Sequence, residues 1–266
     1  MTSQVNLPAS WPGVSVVIPT LNEARNLPHV LGRLPGGIHE VIVVDGHSAD
    51  GTCAVARQLR PDARIITQSR SGKGNALACG FAAATGQVIV MLDADGSADP
   101  AEIPAFVRAL LGGADFAKGT RFAPGGGSSD ITRLRALGNR ALMALVNRAY
   151  GTAYSDLCYG FNVFWRRHLP VLRLDWATPP HQGTERLWGD GFEIETLIAI
   201  RVALARLTVV EVPSFEHSRI HGVSNLTAFG DGLRVLRTIL TERRVRNGNG
   251  NAAAQPDTAP LETLPT

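Results

Sequence analysis

Two aspartates separated by one residue follow a continuous apolar run at residues 88–92. In an extended strand, residues i and i+2 project to the same side, so Asp93 and Asp95 can point at one object. Paired carboxylates repel each other unless a cation or a proton lies between them. Hard oxygen ligands of this kind suit Mg²⁺ or Mn²⁺, which proteins usually share with substrate phosphates. Two helix-capping aspartates in a solvated loop are the alternative, which the tripeptide alone would favour.

Two further acids follow predicted strands nearer the amino terminus. Glu23 comes after the strand predicted at 14–19, and Asp45 ends the apolar run at 40–45. Parallel strands present their carboxyl ends along one edge of a sheet, so these acids and the Asp93/Asp95 pair are expected to line one cleft. In that cleft Asp45 would accept hydrogen bonds from a nucleotide's base or ribose. Taken singly, Asp45 is better explained as a turn or N-cap residue.

The sequence Gly-Lys-Gly at residues 72–74 opens a predicted helix. A helix N-terminus with glycines and a lysine attracts anions, so Lys73 is a candidate contact for a donor phosphate. A plain helix start explains the sequence equally well. The spacing of a Walker loop is missing, and no Gly-x-Gly-x-x-Gly follows the first strand. A dinucleotide cofactor is therefore not expected.

Strands and helices alternate through the first half of the chain. Apolar, β-branched runs predict strands at 14–19, 40–45, 64–68, 88–92 and 115–119, with helices between them. This alternation specifies an α/β fold with a doubly wound, mostly parallel sheet flanked by helices. The second half contains predicted loops at 123–129 and 178–189, helices at 132–150 and 193–205, and strands at 160–165 and 208–213.

The predicted parts of the chain are an N-terminal tail at 1–12, one α/β domain at 13–228, an amphipathic helix at 229–246 and a disordered tail at 247–266. The apolar residues of the helix are Leu233, Leu236, Ile239 and Leu240. Packing of this helix on its own domain is the favoured interpretation. Peripheral contact with an anionic membrane is the alternative.

The composition is that of an ordinary globular protein, with 44% hydrophobic and 18% charged residues among 266. A net charge of +3, with scattered basic residues, does not indicate nucleic-acid binding. Three widely spaced cysteines favour reduced thiols in a cytoplasm. No apolar run approaches the ~20 residues needed to span a bilayer, and the start lacks a secretion-signal pattern. We predict a cytoplasmic protein, with peripheral contact at the inner membrane face as the alternative.

An ordered set of short segments resembles inverting family-two glycosyltransferases with the GT-A fold, and most of all their polyprenyl-phosphate (dolichol-phosphate) mannose synthase branch. The segments are VSVVIPTLNE at 14–23, VVDGHSADGT at 43–52, SGKGNA at 71–76, MLDADG at 91–96, KGTRF at 118–122, DLCYGFNVF at 156–164 and EVPSFEHSRIHGVSNL at 211–226. The resemblance implies sugar transfer from a GDP- or UDP-sugar to a polyprenyl phosphate or related acceptor. It also implies Mg or Mn on the donor diphosphate.

The resemblance implies roles for single residues on the donor side. Pro19, Glu23 and Asp45 correspond to positions that hold the nucleoside. Asp93 and Asp95 correspond to the metal-binding pair, with Asp93 also on the donor. Ser97 stands where some members use a glutamine as a further metal ligand, and the usual second acid after Asp45 is replaced by glycine.

Three arginines also match positions of the family. Arg219 corresponds to the late arginine that neutralises the donor diphosphate, although Asn225 replaces a lysine that normally follows it. Arg121 corresponds to the arginine that meets an acceptor's phosphate, and Arg135 is its candidate partner. A solvated surface charge is the alternative for each arginine, and for Arg135 the two interpretations are equally supported.

The acceptor decides whether the reaction needs a base. A polyprenyl phosphate is already anionic and needs only cations such as Arg121 to position it. A hydroxyl acceptor needs a carboxylate base, typically worth about 10²–10⁴ in rate. Asp190, flanked by glycines after a predicted loop, is the candidate base. A cap of the helix at 193–205 explains this aspartate equally well.

Two other classes of protein compete with this interpretation. A sugar nucleotidyltransferase would share the sheet, the nucleotide and the metal. It normally carries a Gly-rich signature with basic residues after the first strand, where this chain has Pro-Thr-Leu-Asn-Glu at 19–23. A non-catalytic nucleotide-sugar-binding protein would tolerate loss of the acid pair, and both acids are present.

Overall fold

The computed structural model of the protein describes residues 6–178, 187–222 and 228–248, with side chains of the last range described at 232–243. The strands are β1 (Val14–Thr20), β2 (Glu40–Asp45), β3 (Arg64–Thr67), β4 (Val88–Met91), β5 (Phe116–Thr120), β6 (Gly127–Ser128), β7 (Asn162–Trp165), β8 (Val209–Pro213) and β9 (Phe215–Glu216). The α-helices are α1 (Leu27–Leu31), α2 (Thr52–Leu59), α3 (Lys73–Ala83), α4 (Ile103–Leu111), α5 (Arg133–Tyr150), α6 (Leu169–Leu172), α7 (Ile194–Leu204) and α8 (Ala228–Gly248).

Seven strands form one sheet in the order β3-β2-β1-β4-β7-β5-β8. Strand β7 is antiparallel to β4 and β5, and the other neighbouring pairs are parallel. The predicted doubly wound, mostly parallel sheet is confirmed. The reversed direction of β7 was not predicted, because a short apolar run carries no signal of strand direction.

The strands of this sheet are buried on both faces because helices cover each side. Alternate residues of β1 enter different cores: Val16 and Ile18 pack on the face covered by α4, whereas Val17 packs on the face covered by α3 and α7. All four residues of β4 are buried, as its continuous apolar run predicts. Gly80 lets α3 approach closely, since a Cβ there would lie 2.3 Å from Val17 Cγ1.

The long helices α5 and α8 pack together with α7 around a third, smaller core that includes Val146, Ile200 and Ile239. The Tyr150 hydroxyl in α5 donates to the Ile239 carbonyl at 2.7 Å. The favoured packing of the C-terminal helix on its own domain is therefore observed. Its predicted apolar face is only partly correct, because Leu233 and Leu240 are exposed while Val235 is buried.

The chain packs on the domain earlier than the predicted boundary at residue 13. Leu7 is buried, and its N–H donates to the Gly36 carbonyl at 2.8 Å. Within the described ranges, no helix combines the length and the apolar character needed to cross a bilayer. The predicted C-terminal tail from residue 249 onward and Asn225 lie outside the described residues.

Candidate active site

The sheet opens between β1 and β4, where the strand order changes direction. The β1–β4 ladder ends at Val17 and Met91, and the Val17 carbonyl accepts the Leu92 N–H at 3.1 Å. Pro19 faces the same side two residues later, where β4 no longer runs beside it. A proline has no N–H to donate, so it is tolerated at this point of a central strand. Parallel sheets bind ligands at such a switch point.

Glu23 leaves β1 into this opening and is fixed by the loop that follows β2. Its backbone N–H donates to Thr52 Oγ1 at 2.9 Å. Asn22, which has a positive φ of 58°, accepts the Ala49 N–H on its side-chain oxygen at 2.9 Å. These bonds join the two loops after β1 and β2, so Glu23 and the end of β2 form one rigid unit.

Asp45 ends β2 with a buried carboxylate that has one unpartnered oxygen. Its Oδ2 accepts the Ser48 N–H at 3.0 Å. Its Oδ1 is buried and makes no hydrogen bond of normal geometry with any described residue. Cys53 lies beside it as a weak donor, since burial and the Asp45 charge raise the pKa of that thiol. A buried acceptor without a strong donor costs about 1–3 kcal/mol, so this oxygen is suited to receive a ligand's N–H or O–H.

Arg219 connects the first and fourth strand ends. Its Nη2 forms an ion pair with Glu23, and its Nη1 lies 3.5 Å from Asp95 Oδ2. Its Nε donates to the His221 carbonyl at 2.7 Å. The structure thus brings together Glu23, Asp95 and Arg219, although Glu23 and Arg219 are more than a hundred positions apart in the sequence. Their predicted roles on one donor require that they lie close together.

The segment at 215–222 holds Arg219 in place through its backbone. The His217 N–H donates to the Ser97 carbonyl at 2.8 Å, and the Ile220 N–H to the Asp95 carbonyl at 3.2 Å. Ile220 covers Gly96, where an added Cβ would lie 2.6 Å from its Cδ1.

Asn26 is a site residue that the sequence analysis missed. Its amide donates to Glu23 Oε2 at 2.6 Å, and its oxygen accepts the His221 N–H at 2.9 Å. Asn26 therefore both orients Glu23 and anchors the segment at 215–222 that carries Arg219. Its position three residues after Glu23 is the sequence feature that could have identified it.

Asp93 has a different cationic partner from Asp95. Lys73 Nζ lies 2.7 Å from Asp93 Oδ1 and 2.6 Å from Glu195 Oε1. Burial opposes the charge of Lys73, but the two carboxylates outweigh it and raise the pKa of the lysine. Gly160 leaves room for this group, since a Cβ there would lie 2.9 Å from Asp93 Oδ2. Glu195, inside an apolar helix pattern, was not predicted.

These contacts bear on two predictions, which stay predictions. Lys73, predicted at a donor phosphate, is occupied by two carboxylates. The Asp93/Asp95 pair was expected to converge on one cation, but each aspartate meets its own basic residue. Among the described residues, no three His, Cys, Asp or Glu side chains are grouped to hold a metal. Ser97 donates its backbone N–H to Asp95 Oδ1 at 3.0 Å, and its role as a ligand stays a prediction.

Asp190, the candidate base, lies in a buried ion pair instead of facing the opening. Its two oxygens accept Nε and Nη2 of Arg70 at 2.8 and 2.9 Å. Oδ2 also accepts the Leu187 N–H at 2.7 Å. A base needs a free lone pair within reach of the acceptor's proton, and this carboxylate is committed on both oxygens. The geometry therefore argues for a structural role.

Arg121, predicted at an acceptor's phosphate, is also committed to carboxylates. Its Nε and Nη2 bind Asp156 at 2.7 and 2.9 Å, and Nη1 lies 3.0 Å from Glu216 Oε2. Burial opposes its charge, but these acids raise the pKa of the guanidinium. Arg135 lies in the first turn of α5, where Nη1 is 3.0 Å from Asp130 Oδ2. The Arg121 guanidinium is bonded through all three of its nitrogens, whereas the partly exposed Arg135 guanidinium is paired with Asp130 through Nη1.

Comparison with known proteins decides the family. Residues 15–172 match Glycosyl transferase family 2. The chain belongs to this family. Membership of this family agrees with the predicted glycosyltransferase class and with the predicted fold.

Three relatives illustrate the range of this glycosyltransferase family. An uncharacterised glycosyltransferase of Mycobacterium tuberculosis is 42% identical over 108 residues, which are 41% of this chain and 48% of the relative, so the match spans about half of its length. Glycosyltransferase AglJ of Haloferax volcanii is 32% identical over 82% of this chain and 68% of its own. The polyprenol monophosphomannose synthase of Mycolicibacterium smegmatis is 31% identical over 80% of each.

Solved structures of glucosyl-3-phosphoglycerate synthase from Mycobacterium tuberculosis share the fold of this glycosyltransferase. One of them, in complex with Mn²⁺, uridine diphosphate and glucosyl-3-phosphoglycerate, superposes with a TM-score of 0.67. It is 24% identical and covers 88% of this chain and 80% of its own. At this identity the likeness establishes the GT-A architecture.

Proposed function

We propose that this glycosyltransferase transfers a sugar from a nucleotide-sugar donor to a polyprenyl phosphate, with inversion at the anomeric carbon. The assignment of a nucleotide-sugar donor rests on the unpartnered Asp45 Oδ1 and on the contacts of Arg219 with Glu23 and Asp95. A nucleobase or ribose would donate the missing hydrogen bond to Asp45, and the Arg219 guanidinium suits a diphosphate.

The residues present fit a divalent cation that the donor helps to hold. Mg²⁺ and Mn²⁺ are commonly bound by one or two carboxylates together with substrate phosphates, and not by an all-protein cage. Asp95 is a partly exposed carboxylate at the opening. No three His, Cys, Asp or Glu side chains are grouped there among the described residues, so the donor phosphates would have to complete the coordination. Asp95, with Asp93 and Ser97 as further candidates, would hold the cation. When bound, the cation would neutralise charge on the donor diphosphate.

Arg219 is positioned to stabilise the leaving group. As the bond from the anomeric carbon to the diphosphate oxygen breaks, that oxygen takes the electron pair and gains negative charge. A guanidinium fixed in advance by Glu23 and the His221 carbonyl can meet this charge without reorganising.

The pairing of carboxylates around the opening favours a phosphate nucleophile. Six described acids near the strand ends are paired with cations: Glu23 and Asp95 with Arg219, Asp93 and Glu195 with Lys73, Asp190 with Arg70, and Asp156 with Arg121. Glu102 at the same edge accepts hydrogen bonds from the Ser214 hydroxyl and the Phe215 N–H. Asp45 lies on the proposed nucleoside side. A hydroxyl acceptor needs a free base, whereas a phosphate oxygen attacks the anomeric carbon as an anion. The name of the polyprenol monophosphomannose synthase relative is consistent with this choice of acceptor, whereas the name AglJ does not indicate an acceptor.

A product assay tests the proposal. The purified full chain is incubated with Mn²⁺ and each of several radiolabelled GDP- and UDP-sugars, with undecaprenyl phosphate, undecaprenol or 3-phosphoglycerate as acceptor. We expect organic-extractable sugar only with undecaprenyl phosphate, and only with the metal. Transfer confined to the water-soluble acceptor would overturn the acceptor assignment, and activity undiminished by chelation would overturn the metal.

A further inference from the structure

An apolar groove of about 480 Å³ lies between α5 and the end of β5. Phe122, Ala136, Leu137 and Met143 supply apolar surface to it, and Arg133 and Arg140 are at its lining. Phe122 stands two residues beyond β5, so the groove begins at the same carboxyl edge of the sheet as the Arg219 site. A cavity of this size is in the range that binds a small molecule.

The walls of the groove expose apolar side chains that the fold leaves uncovered. Leu137 is 65% exposed and Phe122 is 44% exposed. Leu134, one turn before Leu137 on α5, is also exposed. A concentration of exposed apolar side chains beside a catalytic opening marks a binding surface more often than an ordinary solvent face.

The charge around the groove identifies the kind of ligand. Helix α5 carries four arginines and no acidic residue. Arg133, Leu137 and Arg140 are spaced by four and three residues, so they share one face of the helix. Unlike the site arginines described above, Arg133 and Arg140 form no salt bridge with a described residue. Two uncommitted cations beside an apolar wall fit an amphiphile with an anionic head and a hydrocarbon tail.

We propose that this groove holds the hydrocarbon chain of the acceptor next to its phosphate, with Arg133 and Arg140 facing the phosphate. The inference rests on the proposed function and adds the position of the chain. A symmetric dimer through this groove is disfavoured, because it would bring together two α5 helices that each carry four arginines and no acidic residue. A polar acceptor would leave the exposed leucine and phenylalanine without a role.

Kinetics with acceptors of different chain length test the groove. The full chain is assayed with undecaprenyl phosphate and with the short, water-soluble citronellyl phosphate at saturating donor. For Leu137→Asp we expect at least a tenfold rise in KM for undecaprenyl phosphate and a much smaller change for citronellyl phosphate. The donor KM and the thermal midpoint should stay at wild-type values, because Leu137 is exposed on α5 and is not part of the Glu23–Arg219–Asp95 group. Arg140→Gln should raise KM for both phosphates.

Leu111→Asp is the matched control. Leu111 is also exposed, but it ends α4, which returns from the carboxyl edge of β4 to the opposite edge at the start of β5. This variant should keep the wild-type KM for both acceptors. Equal KM values in Leu137→Asp and wild type would overturn the groove assignment while leaving the acceptor class intact. If the wild-type protein uses neither polyprenyl phosphate, the acceptor proposal fails, and this occupant fails with it.

Discussion

The Arg70–Asp190 ion pair gives the sharpest test of whether Asp190 is structural or catalytic. The side chains are 1% and 4% exposed. Arg70 also donates to the carbonyls of Thr178 and Asp175 at 2.5 and 2.6 Å. Asp190→Asn would leave the buried guanidinium with only the more distant and half-exposed Asp175 carboxylate, 4.0 Å from Nη1. Removing one partner of a buried pair costs about 3–5 kcal/mol, because the remaining charge is uncompensated.

The expected loss converts into a readily measured shift in melting temperature. For a domain of this size, 1 kcal/mol corresponds to about 2–4 °C, so Asp190→Asn should melt about 6–20 °C below wild type. Circular dichroism during heating measures this directly. Asp62→Asn is the control, since it breaks the solvated Arg60–Asp62 pair and should cost under about 1 kcal/mol.

A double variant separates the two roles of Asp190. Arg70→Met with Asp190→Leu removes both charges together, and replacing a buried pair by apolar residues is often neutral or stabilising. If Asp190 is structural, the double variant regains both the melting temperature and most of the transfer rate lost in Asp190→Asn. A double variant that melts like wild type yet transfers about 10²–10⁴ times more slowly would show that the aspartate acts as a base. An unchanged melting temperature in Asp190→Asn would refute the energetic reasoning itself.

Two further substitutions test the site, and a third tests a buried lysine of β5. Asp45→Asn should weaken the binding of UDP or GDP by about tenfold or more, because the single oxygen of the asparagine is needed by the Ser48 N–H and its amide group then opposes a base N–H. Isothermal titration with UDP and GDP measures this. Asp95→Asn should abolish transfer without lowering the melting temperature, and full activity would rule out the metal assignment. Lys118→Met should stabilise the fold by about 1–3 kcal/mol at neutral pH in chemical denaturation, since Lys118 is 2% exposed without a salt bridge to a described residue. Burial lowers the pKa of Lys118 below its ordinary 10.5 in the folded protein, so wild-type stability rises with pH toward that value and the advantage of methionine should shrink there.

The sequence predicts well those features that local patterns determine. The β-branched runs that became β1, β2 and β4 are recognisable because a strand buried on both faces needs uninterrupted apolar residues. The carboxyl-edge position of Glu23, Asp45 and Asp95 follows from strand direction alone. The meeting of Arg219 with Glu23 and Asp95 was anticipated through family resemblance, since no local rule relates residues so far apart.

The partners of charged residues were the main failure of sequence reasoning. Asp190 and Arg121 have the residue types and loop positions of catalytic groups, yet each lies in a buried ion pair. Which cation reaches which carboxylate depends on how the chain packs around the sheet. Residues 70 and 190 meet where the start of α3 packs on the segment before α7, with the Gly74 N–H donating to the Asp190 carbonyl at 2.8 Å. The sequence around Arg70 contains no pattern that predicts a buried ion pair.

The charge balance of the Glu23–Arg219–Asp95 group links donor binding to the metal. Two carboxylates face one guanidinium, so the group has an excess negative charge. A diphosphate brought there alone is repelled by both acids, and a divalent cation brought alone finds too few protein ligands to displace its water. Each ligand lowers the free-energy cost of binding the other, because the cation offsets the charge of the two acids and the phosphates complete the coordination of the cation. Calorimetric titration should therefore find that UDP or GDP binds at least tenfold more tightly with Mn²⁺ present in the wild-type protein, and that this dependence is lost in Asp95→Asn. Equal nucleotide affinity with and without Mn²⁺ would mean that Arg219 alone suffices for the diphosphate.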